Sequence, residues 1–183
     1  MKTIFNVILA FALALPVYAK EPIRIIEGIT SKVSDGDTIH VMSGGTKVKV
    51  RLYGIDAPET EKGNKRTGKV SKPGQPYGDE AWHALESKIL RKQVRLEVVD
   101  VDRYGRTVSV VRVGERNINR EMVADGWAWA YRQYLDRPHA SEYIDAEEQA
   151  RKEKKGLWQQ TNPQPPWEFR KLLKKGRQSR NGW

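Results

Sequence analysis

Lys47-Val48-Lys49-Val50-Arg51-Leu52-Tyr53-Gly54-Ile55-Asp56-Ala57-Pro58-Glu59-Thr60 opens as a strand and ends as a carboxylate-bearing loop. Val48, Val50 and Leu52 alternate with Lys47, Lys49 and Arg51, the two-residue period of a half-buried strand. Upstream, Arg24 to Val33 is rich in Ile and Val but alternates unevenly, and Ser34-Asp35-Gly36-Asp37 reads as a turn into a second strand, Thr38 to Met42. Ser43-Gly44-Gly45 then turns that strand back toward Lys47, giving a three-strand meander.

Downstream, residues 61–75 carry Lys62, Lys65, Arg66, Lys69 and Lys72 among glycines and prolines and read as a mobile basic loop. Trp82, Leu85 and Ile89 recur at helical spacing and predict a helix over Asp79 to Leu90. Val94 to Val99 and Thr107 to Val113 are two more strands, joined by Asp102-Arg103-Tyr104-Gly105-Arg106. Ile118 to Asp125, stopped by Gly126, and Ser141 to Lys155, stopped by Gly156, are expected helices. Five strands, a helix after the third and helices at the end predict an α+β fold: a closed five-stranded β-barrel of the oligonucleotide-binding type with about three helices.

The 183 residues suit one compact domain once the ends are set aside. Residues 1–19 read as a secretory signal, with Lys2 as the charged start, Ile4 to Leu15 as the apolar stretch and Val17-Tyr18-Ala19 as a small-residue cleavage site before Lys20. The apolar run is shorter than the ~20 residues of a membrane span, so export is expected, to the periplasm or beyond, with no stable span after cleavage. From Lys20 onward the chain carries 32 basic and 23 acidic residues, a net charge of +9 that favours polyanionic partners. The absence of cysteine excludes disulfides, thiolate zinc sites and cysteine nucleophiles. His40, His83 and His139 are scattered and read as structural or exposed, and Trp82, Trp127, Trp129 and Trp158 as packing residues.

Chemistry concentrates in three segments: Asp35 to Thr38, Arg51 to Thr60, and Asp102 to Arg106. Hydrolysis of a phosphodiester builds negative charge on the phosphoryl oxygens, and guanidinium groups with a carboxylate-bound hard cation would meet it. Arg51 and Arg106 fit the first requirement, and Glu59 could take a proton from the attacking water. All candidate ligands are oxygen donors, which points to calcium or magnesium rather than zinc. Each piece also has a plainer reading. Asp35, Asp37 and Asp56 could be turn formers, Arg51 a solvated strand residue, and Arg106 the partner of Asp102.

The order and surroundings of these three segments resemble the staphylococcal nuclease, or thermonuclease, family over roughly residues 24 to 160. The resemblance implies a nuclease that hydrolyses DNA and RNA to 3′-phosphate ends with one calcium ion; the domain is read over 20–160 and expected to be a monomer, and a Pro-rich and then basic tail over 161–183 lies largely outside the match. The resemblance further implies that Asp37, Asp56 and the backbone carbonyl of Ala57 bind the ion, with Asp35 supporting its water shell, and that Arg51, Glu59 and Arg106 are catalytic. The family often has threonine where Ala57 stands, a change that a main-chain ligand should tolerate. Tyr104 lies where the family contacts the nucleotide, Arg103 beside it and Tyr131 are further substrate candidates, and the stretch from Tyr131 to Tyr134 does not align cleanly. Two rival expectations stand beside this one. The barrel could hold nucleic acid without cutting it, or the 62–72 loop and the Arg170 to Arg180 tail could make the chain an electrostatic adaptor at the cell envelope.

Overall fold

The computed structural model describes residues 22–64, 66–136 and 139–180. The expected signal segment, 1–19, lies outside them. The chain forms β1 (Arg24–Asp35), β2 (Thr38–Ser43), β3 (Thr46–Leu52), β4 (Ile55–Asp56), β5 (Lys62–Gly63), β6 (Val70–Lys72), α1 (Gly78–Ile89), β7 (Gln93–Val101) and β8 (Thr107–Val113). β9 (Arg116–Asn117), α2 (Ile118–Ala124), β10 (Trp129–Ala130), α3 (His139–Lys152) and α4 (Pro166–Arg180) follow. β3, β2, β1, β7 and β8 are neighbours in that order, and a parallel pairing of Val50 to Leu52 with Thr107 to Ser109 closes them into the five-stranded barrel.

The uneven alternation of β1 has a structural cause. Its first half pairs with β7 and its second with β2, and the β2 register slips between Thr30 and Lys32 and again between Val33 and Asp35. Such bulges bend one strand between two neighbours and change which residues face inward. Ile39, Val41, Val50, Leu52, Val94, Leu96 and Val111 fill the barrel, while Ala81, Leu85 and Ile89 of α1 and Met122 and Val123 of α2 join the same core.

Closure of the barrel needs a side chain. Between the β3–β8 pairing, which ends at Ser109, and the β8–β9 pairing, which begins at Arg112, strand β8 lacks a backbone neighbour on that edge. The fully buried Asn119 fills the gap. Its oxygen accepts from the Val111 N–H at 2.9 Å, and its amide donates to the carbonyls of Tyr53 and Ser109 at 2.9 and 3.0 Å. One carboxamide thus stands in for a peptide group that the sheet does not supply.

A second apolar cluster, Trp129, Ala150, Leu157 and Trp158, forms beyond the barrel. Gly126 and Gly156, both at positive φ, let two turns meet there: a Cβ on Gly126 would lie 2.3 Å from the carbonyl oxygen of Lys155. Glu147, also buried, holds α3 to β10 by accepting from the Ala130 N–H at 2.7 Å, with Arg151 neutralising its other oxygen.

Three expectations need correction. The 61–75 segment is not simply a mobile loop, because β5 and β6 pair as a small hairpin whose Lys62 and Lys72 both bind acids. The long helix expected over Ser141 to Lys155 runs from His139 to Lys152 and ends at a turn in which Lys154 has positive φ. Besides the helices expected in the domain, the described residues form one more in the tail read only as Pro-rich and basic, since Pro163, Pro165 and Pro166 do not prevent it. Pro166 is the first residue of α4, where a missing N–H costs nothing and a fixed φ suits the helix. Among the described residues no helix is long and apolar enough to cross a membrane.

Candidate active site

Asp37 sits in the tight turn between β1 and β2, which is pressed against the segment after β4. A Cβ on Gly36 would lie 2.7 Å from that of Ala57 and 3.0 Å from that of Ala81, so glycine permits the approach. The Ala57 N–H donates to Asp37 Oδ2 at 3.1 Å, and Leu52 N–H donates to the Asp37 carbonyl at 2.9 Å. Asp35, two residues earlier, accepts from the Thr60 hydroxyl at 2.7 Å and from Lys62 at 2.9 Å. Burial opposes ionisation of Asp35, but the hydrogen bonds from Thr60 and Lys62 outweigh it and hold the carboxyl below its ordinary value.

Arg51, near the end of β3, joins the two aspartates. Its Nη1 lies 2.5 Å from Asp37 Oδ1 and its Nη2 lies 2.5 Å from Asp56 Oδ1. Asp56 is fully buried, in β4, and is placed by antiparallel pairing with Trp129 of β10. Burial raises the Asp37 carboxyl to about 6, with the nearby Asp56 and Asp35 adding to the rise and Arg51 opposing it. Burial also disfavours the Arg51 charge, yet Asp37 and Asp56 hold it protonated more firmly than usual.

Glu59 completes the cluster. It is buried, and one oxygen accepts from Lys72 of β6. Its other oxygen lies 3.0 Å from Arg170 Nη1, on α4. The same guanidinium takes both oxygens of Asp56, Nη1 to Oδ1 at 3.1 Å and Nη2 to Oδ2 at 2.7 Å. Asp35, Asp37, Asp56 and Glu59 are thereby linked to Lys62, Arg51, Lys72 and Arg170 at one end of the barrel.

A family profile described as "Staphylococcal nuclease homologue" matches residues 49–160. The chain is 36% identical over 156 residues to the micrococcal nuclease of Shigella flexneri, covering 80% of this chain and 82% of that protein. It is 40% identical over 144 residues to an uncharacterized endonuclease of Haemophilus influenzae, covering 78% and 72%. Protein ParB of Escherichia coli is 36% identical over 171 residues, 88% of this chain and 89% of ParB. The chain belongs to the staphylococcal nuclease family.

In this nuclease-family chain Arg51, Asp56, Ala57 and Glu59 fall inside the matched segment, whereas Asp35 and Asp37 precede it and are joined to it by the contacts described above. Arg106 is not brought onto the carboxylates by any of these bonds. It enters β8 beside β3, and its guanidinium is held by Asp102, Nε to Oδ2 at 2.6 Å. Burial opposes ionisation of Asp102, but hydrogen bonds from Arg106 and the Tyr104 N–H hold its carboxyl below the ordinary value. Tyr104 is exposed, with Arg103 4.9 Å and Arg106 5.6 Å from its ring centroid.

Tyr131, by contrast, adjoins the cluster. Its N–H donates to the Gly54 carbonyl at 2.8 Å, and burial together with the Asp56 charge pushes its hydroxyl above the ordinary value. Its ring is stacked on Trp167 of α4, at 5.2 Å and 3°. Trp129 and Trp158 pack in the second cluster, and Trp82 donates to the Val33 carbonyl, as packing residues should. His40 and His83 contact none of the clustered acids by any of these bonds; the His139 side chain lies outside the described set.

Arg170, Trp167, Lys62, Lys72 and Asn119 escaped the sequence reading. Nothing local marks a cation in a basic tail as the partner of an acid more than a hundred residues away. Asn119, as a buried polar residue among Ile118, Met122 and Val123, did carry a signal, since a carboxamide on the apolar side of a helix needs partners.

Among the described residues no three His, Cys, Asp or Glu side chains converge as a ready metal cage. The donor chemistry nevertheless suits a hard cation. Asp37 and Asp56 are buried carboxylates bridged by one guanidinium, and a second guanidinium already occupies the outer oxygens of Asp56.

Proposed function

We propose that this chain is a calcium-dependent phosphodiesterase that cuts DNA and RNA with little sequence preference and leaves 3′-phosphate ends. Family membership makes it a nucleic-acid hydrolase of the endonuclease kind. The observation that carries the finer reading is Arg51 clamped between Asp37 and Asp56, with Glu59 in the same buried cluster. A structural ion pair would need one aspartate. Four acids drawn to one barrel end from the β1–β2 turn and the segment from β4 to Thr60 suit a site that manages cation and phosphate charge together.

Asp37, Asp56 and the Ala57 carbonyl would hold the calcium, and Asp35, fixed by Thr60 and Lys62, would order water beside it. When bound, the ion supplies Lewis-acid polarisation of a phosphoryl oxygen. Glu59 orients a water and takes its proton as the water oxygen bonds to phosphorus. The bond from phosphorus to the 5′-oxygen then breaks, that oxygen takes a proton from solvent while Glu59 returns its own to solvent, and phosphate stays on the 3′ side. Arg51, and Arg106 once turned from Asp102, stabilise charge on the phosphoryl oxygens, each at a level of about 3 kcal/mol of barrier. Arg103 and Tyr104, at the exposed turn beside Arg106, would contact the substrate backbone. None of these groups reads a base edge, hence the low sequence preference.

The Lys2 to Ala19 segment supports export, to the periplasm or beyond. The test is cutting of single-stranded and duplex DNA and of RNA by the full chain with calcium, with magnesium and with a calcium chelator, beside Glu59→Gln. Calcium-dependent cutting that collapses in the variant is the expected result. Binding without cutting under every metal would make the chain a nucleic-acid-holding barrel instead.

A further inference from the structure

Helix α4 is attached to the rest of the protein at its beginning. Pro166 is buried, Trp167 stacks on Tyr131 and meets Trp129 edge-on at 5.6 Å, and Arg170 reaches Asp56 and Glu59. Just ahead of the helix, the Gln164 carbonyl accepts from Gln75 at 3.1 Å. Beyond Arg170, Lys171, Lys174 and Lys175 are exposed, Leu172 is 57% exposed and Leu173 is half-buried. A helix held by one turn and one ion-pair cluster, with little apolar surface buried beyond them, is cheap to release.

The two side chains that hold it sit where a ligand's two chemical parts would. The Arg170 guanidinium takes both oxygens of Asp56 and one of Glu59, the acids that the proposed reaction gives to the cation and to the attacking water. Trp167 covers the face of Tyr131 in nearly parallel stacking, the geometry in which a nucleobase uses an aromatic ring. Like Arg51, Arg170 spends its donors on carboxylates, but it reaches them from the tail helix rather than from the barrel wall.

The charge composition of α4 explains how the helix could leave. From Pro166 to Arg180 it carries Arg170, Lys171, Lys174, Lys175, Arg177 and Arg180 against the single acid Glu168. A polyanion arriving at the site attracts that helix while a cation competes for its anchoring acids. Lys72, Arg170 and Lys174 also border a cleft of about 400 Å³ between α4 and the β5–β6 hairpin. Substrate phosphates could engage the helix there before it is displaced.

We propose that α4 is an intramolecular competitor for the active site, with Arg170 holding Asp56, one of the cation's acids, together with Glu59, and with Trp167 in the place of a base, displaced jointly by divalent cation and nucleic acid. This rests on the calcium reading of the same carboxylates. Competition lowers apparent cation affinity by the fraction of molecules in the open state.

The experiment is calorimetric titration of calcium into the full chain, Arg170→Ala and Trp167→Ala, with tryptophan emission and protease sensitivity of the 161–180 segment followed in parallel. Calcium should bind both variants more tightly than wild type, by about tenfold for Arg170→Ala if nine molecules in ten are closed. Arg170→Ala alone would not suffice, because removing a positive charge strengthens cation binding in any case. Trp167→Ala changes no charge, so its tighter binding reports release of the helix. In wild type, calcium with a nucleotide should alter tryptophan emission and speed cleavage within 161–180. Unchanged affinity in Trp167→Ala, with the segment's protection indifferent to both ligands, overturns the proposal while leaving the calcium site intact. Weaker calcium or substrate binding in Arg170→Ala overturns it too, by making Arg170 part of the working site. If wild type binds no calcium and cuts nothing, the functional reading itself fails and the proposal falls with it.

Discussion

Replacing Asn119 by alanine should unfasten the barrel. The carboxamide satisfies the Val111 N–H and bonds to the Tyr53 and Ser109 carbonyls, all within a fully buried site. Ser109 keeps the Tyr53 N–H at 2.8 Å, so the heaviest loss falls on the Val111 donor, and the Tyr53 carbonyl loses its Asn119 bond. An unsatisfied buried group costs about 1–3 kcal/mol, and with the cavity added the total comes to about 3–5 kcal/mol. At a urea slope near 2 kcal/mol/M the unfolding midpoint should fall by about 2 M. Tryptophan emission against urea measures it. Asn119→Asp gives a second, independent signature, because the charged carboxylate keeps the Val111 bond but faces two carbonyls. Its folded-state pKa would therefore rise, and the deficit should shrink as pH falls and protonation restores one donor. A midpoint for Asn119→Ala within about 1 kcal/mol of wild type, with a pH-flat Asn119→Asp, would refute the view that this amide closes the sheet.

Arg51→Met should lower cutting by about 10²–10³-fold, as loss of one transition-state donor does, and should leave Asp37 and Asp56 facing each other without their shared counterion; turnover and urea unfolding with and without calcium check both effects. Glu147→Ala should cost about 1–3 kcal/mol by leaving the buried Ala130 N–H without its acceptor, while half-exposed Arg151 turns to solvent, seen as a lowered melting temperature. Asp102 has a folded-state pKa below the ordinary 3.8, so its stabilising contribution is present above that value and lost as pH falls through the depressed one. Asp102→Asn should therefore flatten part of the acid limb of stability below pH 4, while weakening the hold on Arg106 at neutral pH.

The strands and first helices were legible because their signals are local. Val48, Val50 and Leu52 repeat every two residues, Leu85 and Ile89 every four, and each pattern names its own buried face. The three chemical segments were legible as a combination, since carboxylates and arginines at strand ends are unusual together in this order. Long-range choices were not legible. The bulges in β1 depend on which strands lie on either side, and Asn119 matters only because β8 lacks a neighbour at Val111. Helix α4 was obscured by its prolines, which read as breakers until one of them is seen at the first helical position. The acids of the site were thus found from sequence, and most of their basic partners were not.

That division follows the charge balance of the site. Arg51 is built into the barrel wall, but Lys62 and Lys72 come from a two-stranded hairpin and Arg170 from a loosely seated helix. The barrel on its own therefore leaves Asp35, Asp37, Asp56 and Glu59 with a single fixed counterion, and buried carboxylates in that state either protonate or recruit positive charge. The rise of Asp37 to about 6 is the first response. The three peripheral cations are the second, and they sit on the hairpin and on the tail helix. Charges carried by the hairpin and α4 rather than by the barrel wall are what the proposed exchange for a divalent ion and a phosphate requires, and Trp167 and Arg170 are the peripheral residues through which that exchange would reach the centre.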